Sequence, residues 1–249
     1  GKDGCNRHVL IDECRELFGE IYEQIPELPF CNIWTAMQLS SRLPKGALFH
    51  MGVSNTRRCW NMFQLPESVE SACNVGCCGI DGCVSTLVGA SLVNPDRLCY
   101  VVVGDLTFFY DLNSLGNHHI GTNLRVMLVN NGRGTEFRLG IHHCNVFGDD
   151  ADKYMAAAGH FGNKSPLLVK HYAEDLGFHY LSATTKEEFM TALSNFTNPQ
   201  LSDHSMILEV FTDSKDESEA LYLMSHIQSD AKGMVRSKLK DAVRNVAGE

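Results

Sequence analysis

The sequence contains no apolar run near the roughly 18 residues that a bilayer-spanning helix needs, no Cys-x-x-Cys pair, no internal repeat and no low-complexity block. The first absence excludes a helical membrane anchor within these residues, and the second removes the commonest redox and structural-zinc signatures. Basic residues are also the minority. With 21 Lys and Arg against 30 Asp and Glu, the formal charge is −9. That balance argues against a general polyanion-binding surface, so neither nucleic acid nor a membrane is an expected partner, although one phosphate group could still be held locally. No secretory leader opens the chain, and the expected location is cytoplasmic. The chain begins with Gly rather than Met, so it reads as a cut or processed piece.

What is present is an ordinary globular composition. At 249 residues, 44% hydrophobic and 20% charged, the chain can bury a substantial core as one large domain or two small ones. Its ten cysteines include the adjacent pair Cys77-Cys78, and the rest are scattered through apolar stretches, which suits reduced core thiols. Cys73, Cys77, Cys78 and Cys83 lie close together and His142-His143-Cys144 could join them, yet no standard zinc spacing appears. His118-His119 reads as the polar end of a helix.

Along the chain, Val9, Leu10, Leu17, Phe18, Ile21 and Ile25 recur near helical spacing before Pro26 and Pro29, and Ile33, Trp34 and Met37 suggest a second helix. Apolar runs then alternate with amphipathic stretches, the pattern of an α/β fold with an open, mainly parallel sheet and helices on both faces. Strands are expected at Ala47 to His50, Ser71 to Val75, Leu98 to Val103, Leu124 to Val129, Phe178 to Ser182 and Met206 to Phe211. Helices are expected at Ile80 to Leu92, Leu106 to His119, Pro166 to Asp175, Lys186 to Phe196 and Glu217 to Gln228. The division that follows is a helical linker segment over 1–45, a binding domain over 46–228 and a helical tail over 229–249.

The densest chemical signal is Gly104-Asp105-Leu106 followed by Asn130-Asn131. Between them lies one strand–helix–strand crossover, so Asp105 and Asn131 should both emerge at the carboxyl edge of one parallel sheet. Asp and Asn oxygens suit Mg²⁺, which is commonly completed by water and substrate phosphates, so a diphosphate is the natural third party. The amides of Leu106 and Thr107, opening a helix, could donate to the same anion. Each fragment alone is equally served by an Asp that caps a helix and an Asn pair that makes a turn.

This Gly-Asp and Asn-Asn pattern resembles the signature of thiamine-diphosphate-dependent enzymes. Gly104 to Asn113, together with Gly79-Ile80-Asp81-Gly82, Ser85-Thr86 and the pair Ser54 and Arg58, is similar to the synthase family of the menaquinone pathway. The resemblance implies that Asp105, Asn131 and the backbone carbonyl of Arg133 bind Mg²⁺, and that Gly79, Ile80, Gly104, Leu106, Thr107 and Ser54 contact the cofactor. Ile80 would wedge beneath its two rings. It further implies Arg58 as a clamp on a substrate carboxylate and Phe137 on the substrate side; taken singly, Ser54 is as credible a helix cap, Arg58 a surface charge, and Ile80 and Phe137 core residues. The implied cofactors are thiamine diphosphate and Mg²⁺. The implied reaction is decarboxylation of a small 2-oxo acid followed by protonation or ligation, as transferase or lyase.

Two departures stand out. Val75-Gly76-Cys77-Cys78 occupies the place of a family Arg-Gly-Ala-Ser, which removes one substrate-binding cation, and Arg133 replaces a glycine whose carbonyl is a ligand. The resemblance also implies a catalytic Glu on a pyrimidine-binding domain, and this chain is too short to hold two such domains. The expected partner is therefore that domain, from the same parent chain or a separate subunit, within a homo-oligomer. The chain alone is expected to be inactive. A fragment of a larger polypeptide is favoured over the small subunit of a split 2-oxo acid decarboxylase, and a non-catalytic thiamine-diphosphate or nucleotide-binding module is the remaining alternative.

Overall fold

In the computed structural model, which describes residues 3–76, 78–139, 142–154, 160, 162, 164–200 and 202–227, six strands make one sheet in the order β2-β1-β3-β4-β6-β5. They are β1 (Leu48–Met51), β2 (Glu70–Cys73), β3 (Cys99–Gly104), β4 (Leu124–Asn130), β5 (His179–Ala183) and β6 (Met206–Phe211). Every pairing is parallel, which bears out the α/β reading. The two central strands, β3 and β4, are buried almost throughout. Continuous Val, Leu and Met runs are what a strand covered on both faces requires.

The helices are α1 (Asp3–Glu23), α2 (Asn32–Leu39), α3 (Asn55–Trp60), α4 (Cys83–Val93), α5 (Asp105–Asp111), α6 (Ala151–Tyr154), α7 (Leu168–Asp175), α8 (Lys186–Phe196) and α9 (214–227). On one face of the sheet, Val101, Val103, Val126, Leu128 and Ile207 join Val84, Leu87 and Val88 of α4, Phe108 of α5, and Val169 and Ala173 of α7 in one apolar cluster. On the other face, Phe49 meets Trp60 of α3 with ring centroids 5.1 Å apart, and Tyr100 meets Phe196 of α8 at 5.5 Å. The chain divides into two compact units, Pro29–Ser218 and Gly1–Leu28 with Glu219–Glu249. The sheet lies in the first. In the second, α1 exposes Leu17, Phe18 and Tyr22, while the tail expected over 229–249 lies outside the described residues.

Several expectations are corrected. The helix expected from Leu106 to His119 ends at Asp111 and tightens into a 3₁₀ turn over Leu112–Gly116. Here the Ser114 hydroxyl donates to the Asp111 carbonyl at 2.8 Å and the Tyr172 hydroxyl to the Leu112 carbonyl at 2.8 Å, satisfying carbonyls that a continuing helix would have used. His118 and His119 therefore sit in the following turn, with their rings 3.8 Å apart. The helix expected from Ile80 starts at Cys83 because Gly82, with φ +78°, breaks the helical path before it. Cys31, Cys59, Cys83 and Cys99 are buried free thiols, but Cys14 and Cys78 are exposed, so the core-thiol reading holds only in part. Among the described residues no helix is long and apolar enough to cross a membrane.

Aromatic packing should dominate stability on the α8 side. Phe189 is fully buried and stacks edge-on against Trp34 at 5.7 Å and Phe30 at 6.2 Å. Phe189→Ala is expected to cost about 3–5 kcal/mol of unfolding free energy, read as a lowered urea midpoint with the slope unchanged.

Candidate functional site

The pairing of β3 with β4 builds the site. Gly104 pairs with Val129 in register, so Asp105, which follows β3, lies level with Asn130, the last residue of β4, at the carboxyl edge of the sheet, with Asn131 one step beyond. Asp105 is 3% exposed and opens α5. Its Oδ1 accepts the Leu106 N–H at 2.8 Å, and its Oδ2 faces His160 Nε2 at 3.0 Å. The Leu106 amide is thus taken by its own neighbour, a correction to the expectation that it awaits a phosphate. The Asn pair does make a turn: Asn130 Oδ1 accepts the Gly132 N–H at 3.2 Å and Asn131 Oδ1 the Arg133 N–H at 3.3 Å, with Gly132 at φ +78°.

A cleft of about 430 Å³ opens over this edge. Ser54, Arg58, Ile80, Gly104, Asp105, Leu106, Thr107, Asn131 and Arg133 all line it. Gly79 does not stand among the lining residues, but it shapes the segment that does. A Cβ on Gly79 would fall 2.4 Å from Asp81 Oδ1, and Gly82 sits at positive φ, so two glycines bracket Ile80 and let a tight turn carry it to the cleft. Ser54 holds the N-cap position of α3 at φ 70° and makes no side-chain capping bond, so its capping role is overturned. The side chain of Phe137 lies outside the described residues.

One wall of the cleft is cationic. Arg58 is not a bare surface charge: its guanidinium reaches Glu136 Oε1 at 3.0 Å and also bonds Asn55 Oδ1. Arg57, Arg133 and His142 line the same cleft. Three polar atoms here, Arg57 Nε, Thr135 Oγ1 and Glu136 Oε2, are buried with no hydrogen-bond partner. Unsatisfied buried polar atoms are costly, and their gathering in one cleft marks a place built to receive polar ligand atoms.

Behind the rim stand two buried carboxylates that the sequence reading did not nominate. Glu209 of β6 accepts from Asn130 Nδ2 at 2.7 Å and from the Tyr180 hydroxyl at 2.7 Å. Burial, assisted by the charge of Asp105, raises its pKa against those two bonds. Glu217 of α9 lines the cleft, accepts the Asn32 N–H at 3.0 and 3.1 Å and the Thr212 hydroxyl at 2.7 Å, and is pushed by burial up to about 7. An acid inside the apolar strand Met206–Phe211 was a visible anomaly for Glu209. For Glu217, His160, Arg57, Thr135 and Glu136, no spacing rule placed them here.

The donor set fits a hard cation. Asp105 and Asn131 offer side-chain oxygens, and the Arg133 carbonyl accepts the Thr135 N–H at 3.0 Å while keeping a second lone pair. Among the described residues no group of three His, Cys, Asp or Glu side chains is gathered to hold a metal; Cys77, one of the cysteines considered for zinc, lies outside the described residues. A parallel sheet covered on both faces, with polar side chains gathered at its carboxyl edge, defines a class, the open α/β domain that takes ligands at that edge. The chain is a relative of a thiamine-diphosphate-dependent synthase family, the 2-succinyl-5-enolpyruvyl-6-hydroxy-3-cyclohexene-1-carboxylate synthases. It is 34% identical to the synthase of Bacteroides fragilis over 196 residues, covering 79% of this chain and 34% of that protein. With the synthase of Christiangramia forsetii it shares 33% identity over 199 residues, 80% of this chain and 33% of the relative. With that of Flavobacterium johnsoniae it shares 29% over 192 residues, 76% and 32%. The chain thus spans about one third of the length of the curated relatives it matches. No family model matches it.

Glu217 gives a pH signature. Its folded pKa of about 7 lies above the ordinary 4.5, so the folded state holds a proton that the unfolded chain releases. The stabilisation is complete below about pH 4.5 and is lost as pH rises through 7. The urea midpoint should fall between pH 5 and pH 8 by the equivalent of about 1–3 kcal/mol, and Glu217→Gln should flatten that dependence.

Proposed function

We propose that the Pro29–Ser218 unit binds the diphosphate of thiamine diphosphate through Mg²⁺, as one part of an enzyme that decarboxylates a 2-oxo acid and protonates or ligates the product. The observation that carries this reading is the in-register β3–β4 pair, which sets Asp105 and Asn131 at one cleft edge. Asp105, Asn131 and the Arg133 carbonyl would hold the cation. When bound, thiamine diphosphate supplies the carbon that adds to the 2-oxo group and takes up the electrons released on decarboxylation.

The chain's own residues then have distinct tasks. Ile80, presented by its glycine-bracketed turn, offers an apolar ledge at the cleft for the ring portion of the cofactor, while Gly104 and Thr107 leave backbone near the diphosphate. Ser54 and Thr135 offer hydroxyls. Arg58 exchanges its Glu136 partner for a substrate carboxylate, a swap between two carboxylates in the same bidentate-capable geometry. Glu136 is released by that swap toward Arg57 or Arg133. The proton-abstracting Glu and the rest of the pocket belong to a pyrimidine-binding domain in the parent chain or a second subunit, assembled as a homo-oligomer in the cytoplasm. The synthases' own reaction is the nearest candidate, but Val75 stands where that family carries a cation, so a different acid pair is equally served.

Thiamine diphosphate titrated into the protein with Mg²⁺ should bind, and chelation of the metal should release it. Asp105→Ala should weaken that binding by at least about tenfold, since it removes the anionic ligand. In the intact parent protein, a panel of 2-oxo acids should yield carbon dioxide; tight cofactor binding with no turnover across the panel would favour a non-catalytic module, and absence of binding would overturn the proposal.

A further inference from the structure

Asn130 ends β4 one position before the proposed ligand Asn131, and its two side-chain atoms face different ways. The nitrogen donates to Glu209 Oε1 at 2.7 Å; the oxygen accepts the Gly132 N–H at 3.2 Å. With both Glu209 oxygens accepting, Oε1 from the Asn130 amide nitrogen and Oε2 from the Tyr180 hydroxyl, the acid meets the donor end of the amide and thereby turns its oxygen toward the loop. Gly132 lies at φ +78°, and the bond to its N–H holds the chain in that turn. The turn in turn sets where the Asn131 side chain and the Arg133 carbonyl point. Tyr180 anchors the other Glu209 oxygen at 2.7 Å, and the acid is 1% exposed, so it is held between two donors in a dry setting.

A buried carboxylate is costly beside a second acid such as Asp105, and an apolar residue would serve the β6 strand better. Its orientation of Asn130 accounts for its presence. We infer that Glu209 is a positioning residue for the cation site, acting through Asn130 to fix the Gly132 turn and so the Asn131 and Arg133 oxygens. This rests on the reading of the cleft as a metal–diphosphate site. Glu209 itself touches neither the metal nor the diphosphate.

The test uses Mn²⁺ as a paramagnetic probe, titrated with saturating thiamine diphosphate into the whole chain and followed by electron paramagnetic resonance. Glu209→Ala should weaken Mn²⁺ binding about 10- to 100-fold, the usual range for a residue that orients a ligand. Glu209→Gln keeps the shape but can present its own N–H₂, allowing the Asn130 amide to turn over, and should lose about 3- to 10-fold. Because the two act in series, the double variant Asn130→Ala with Glu209→Ala should bind no worse than Asn130→Ala alone. Tyr180→Phe, which leaves the Asn130 bond intact, should stay within about twofold.

Unchanged Mn²⁺ affinity in Glu209→Gln overturns the inference, as does a lowered urea midpoint with unaltered affinity, the result of a purely structural role. Losses that add in the double variant also overturn it. Should Glu209→Ala fail to fold, the isosteric Gln variant decides. Failure of the wild-type chain to bind Mn²⁺ with thiamine diphosphate is a separate outcome: it removes the cofactor reading, and this inference with it.

Discussion

The parallel register between the two central strands is the constraint on which the rest depends. Because Gly104 and Val129 are opposite one another, the chain leaves both strands at the same level, and Asp105 and Asn130-Asn131 meet there without any further device. A slip of one residue would turn every side chain of β4 to the opposite face. The apolar cluster that joins Val101 and Val103 to Val126 and Leu128 on one face resists such a slip, so core packing and site geometry are secured by the same contacts.

The same edge concentrates negative charge. Asp105, Glu209 and Glu217 are all nearly fully buried, and the charge of Asp105 raises the pKa values of both glutamates on top of their desolvation. Hydrogen bonds from Asn130, Tyr180, Asn32 and Thr212 offset part of that cost. A divalent cation at the rim would offset more, because attraction between unlike charges is strongest where water is excluded. Arg57, Arg58 and Arg133 line the same cleft with the opposite sign, and the Arg58–Glu136 pair ties one of these cations to a carboxylate.

Much of this was legible beforehand, and for identifiable reasons. Strand β6 has the bounds expected of Met206 to Phe211, and α8 those of Lys186 to Phe196, because a continuous apolar run and a helical apolar period are strong local signals; the structure adds that Thr185 caps α8 by accepting the Glu188 N–H. The early end of α5 was not legible, since it depends on Tyr172, distant in sequence, reaching the Leu112 carbonyl. Nor was the state of the Leu106 amide, which the adjacent carboxylate claims. Arg58 was named from the family resemblance, which says nothing of its partner Glu136, 78 positions away.

The amino-acid sequence by itself determined the alternation of strands and helices, the parallel sheet and the pairing of an acid with an amide at successive strand ends, because each is written in local periodicity and in the length of one crossover. Only the tertiary structure decided which groups face that pair. His160, Glu209, Glu217 and Thr135 converge there from separate stretches, and no local rule of spacing can express a convergence produced by stacking strands in the order β3-β4-β6-β5.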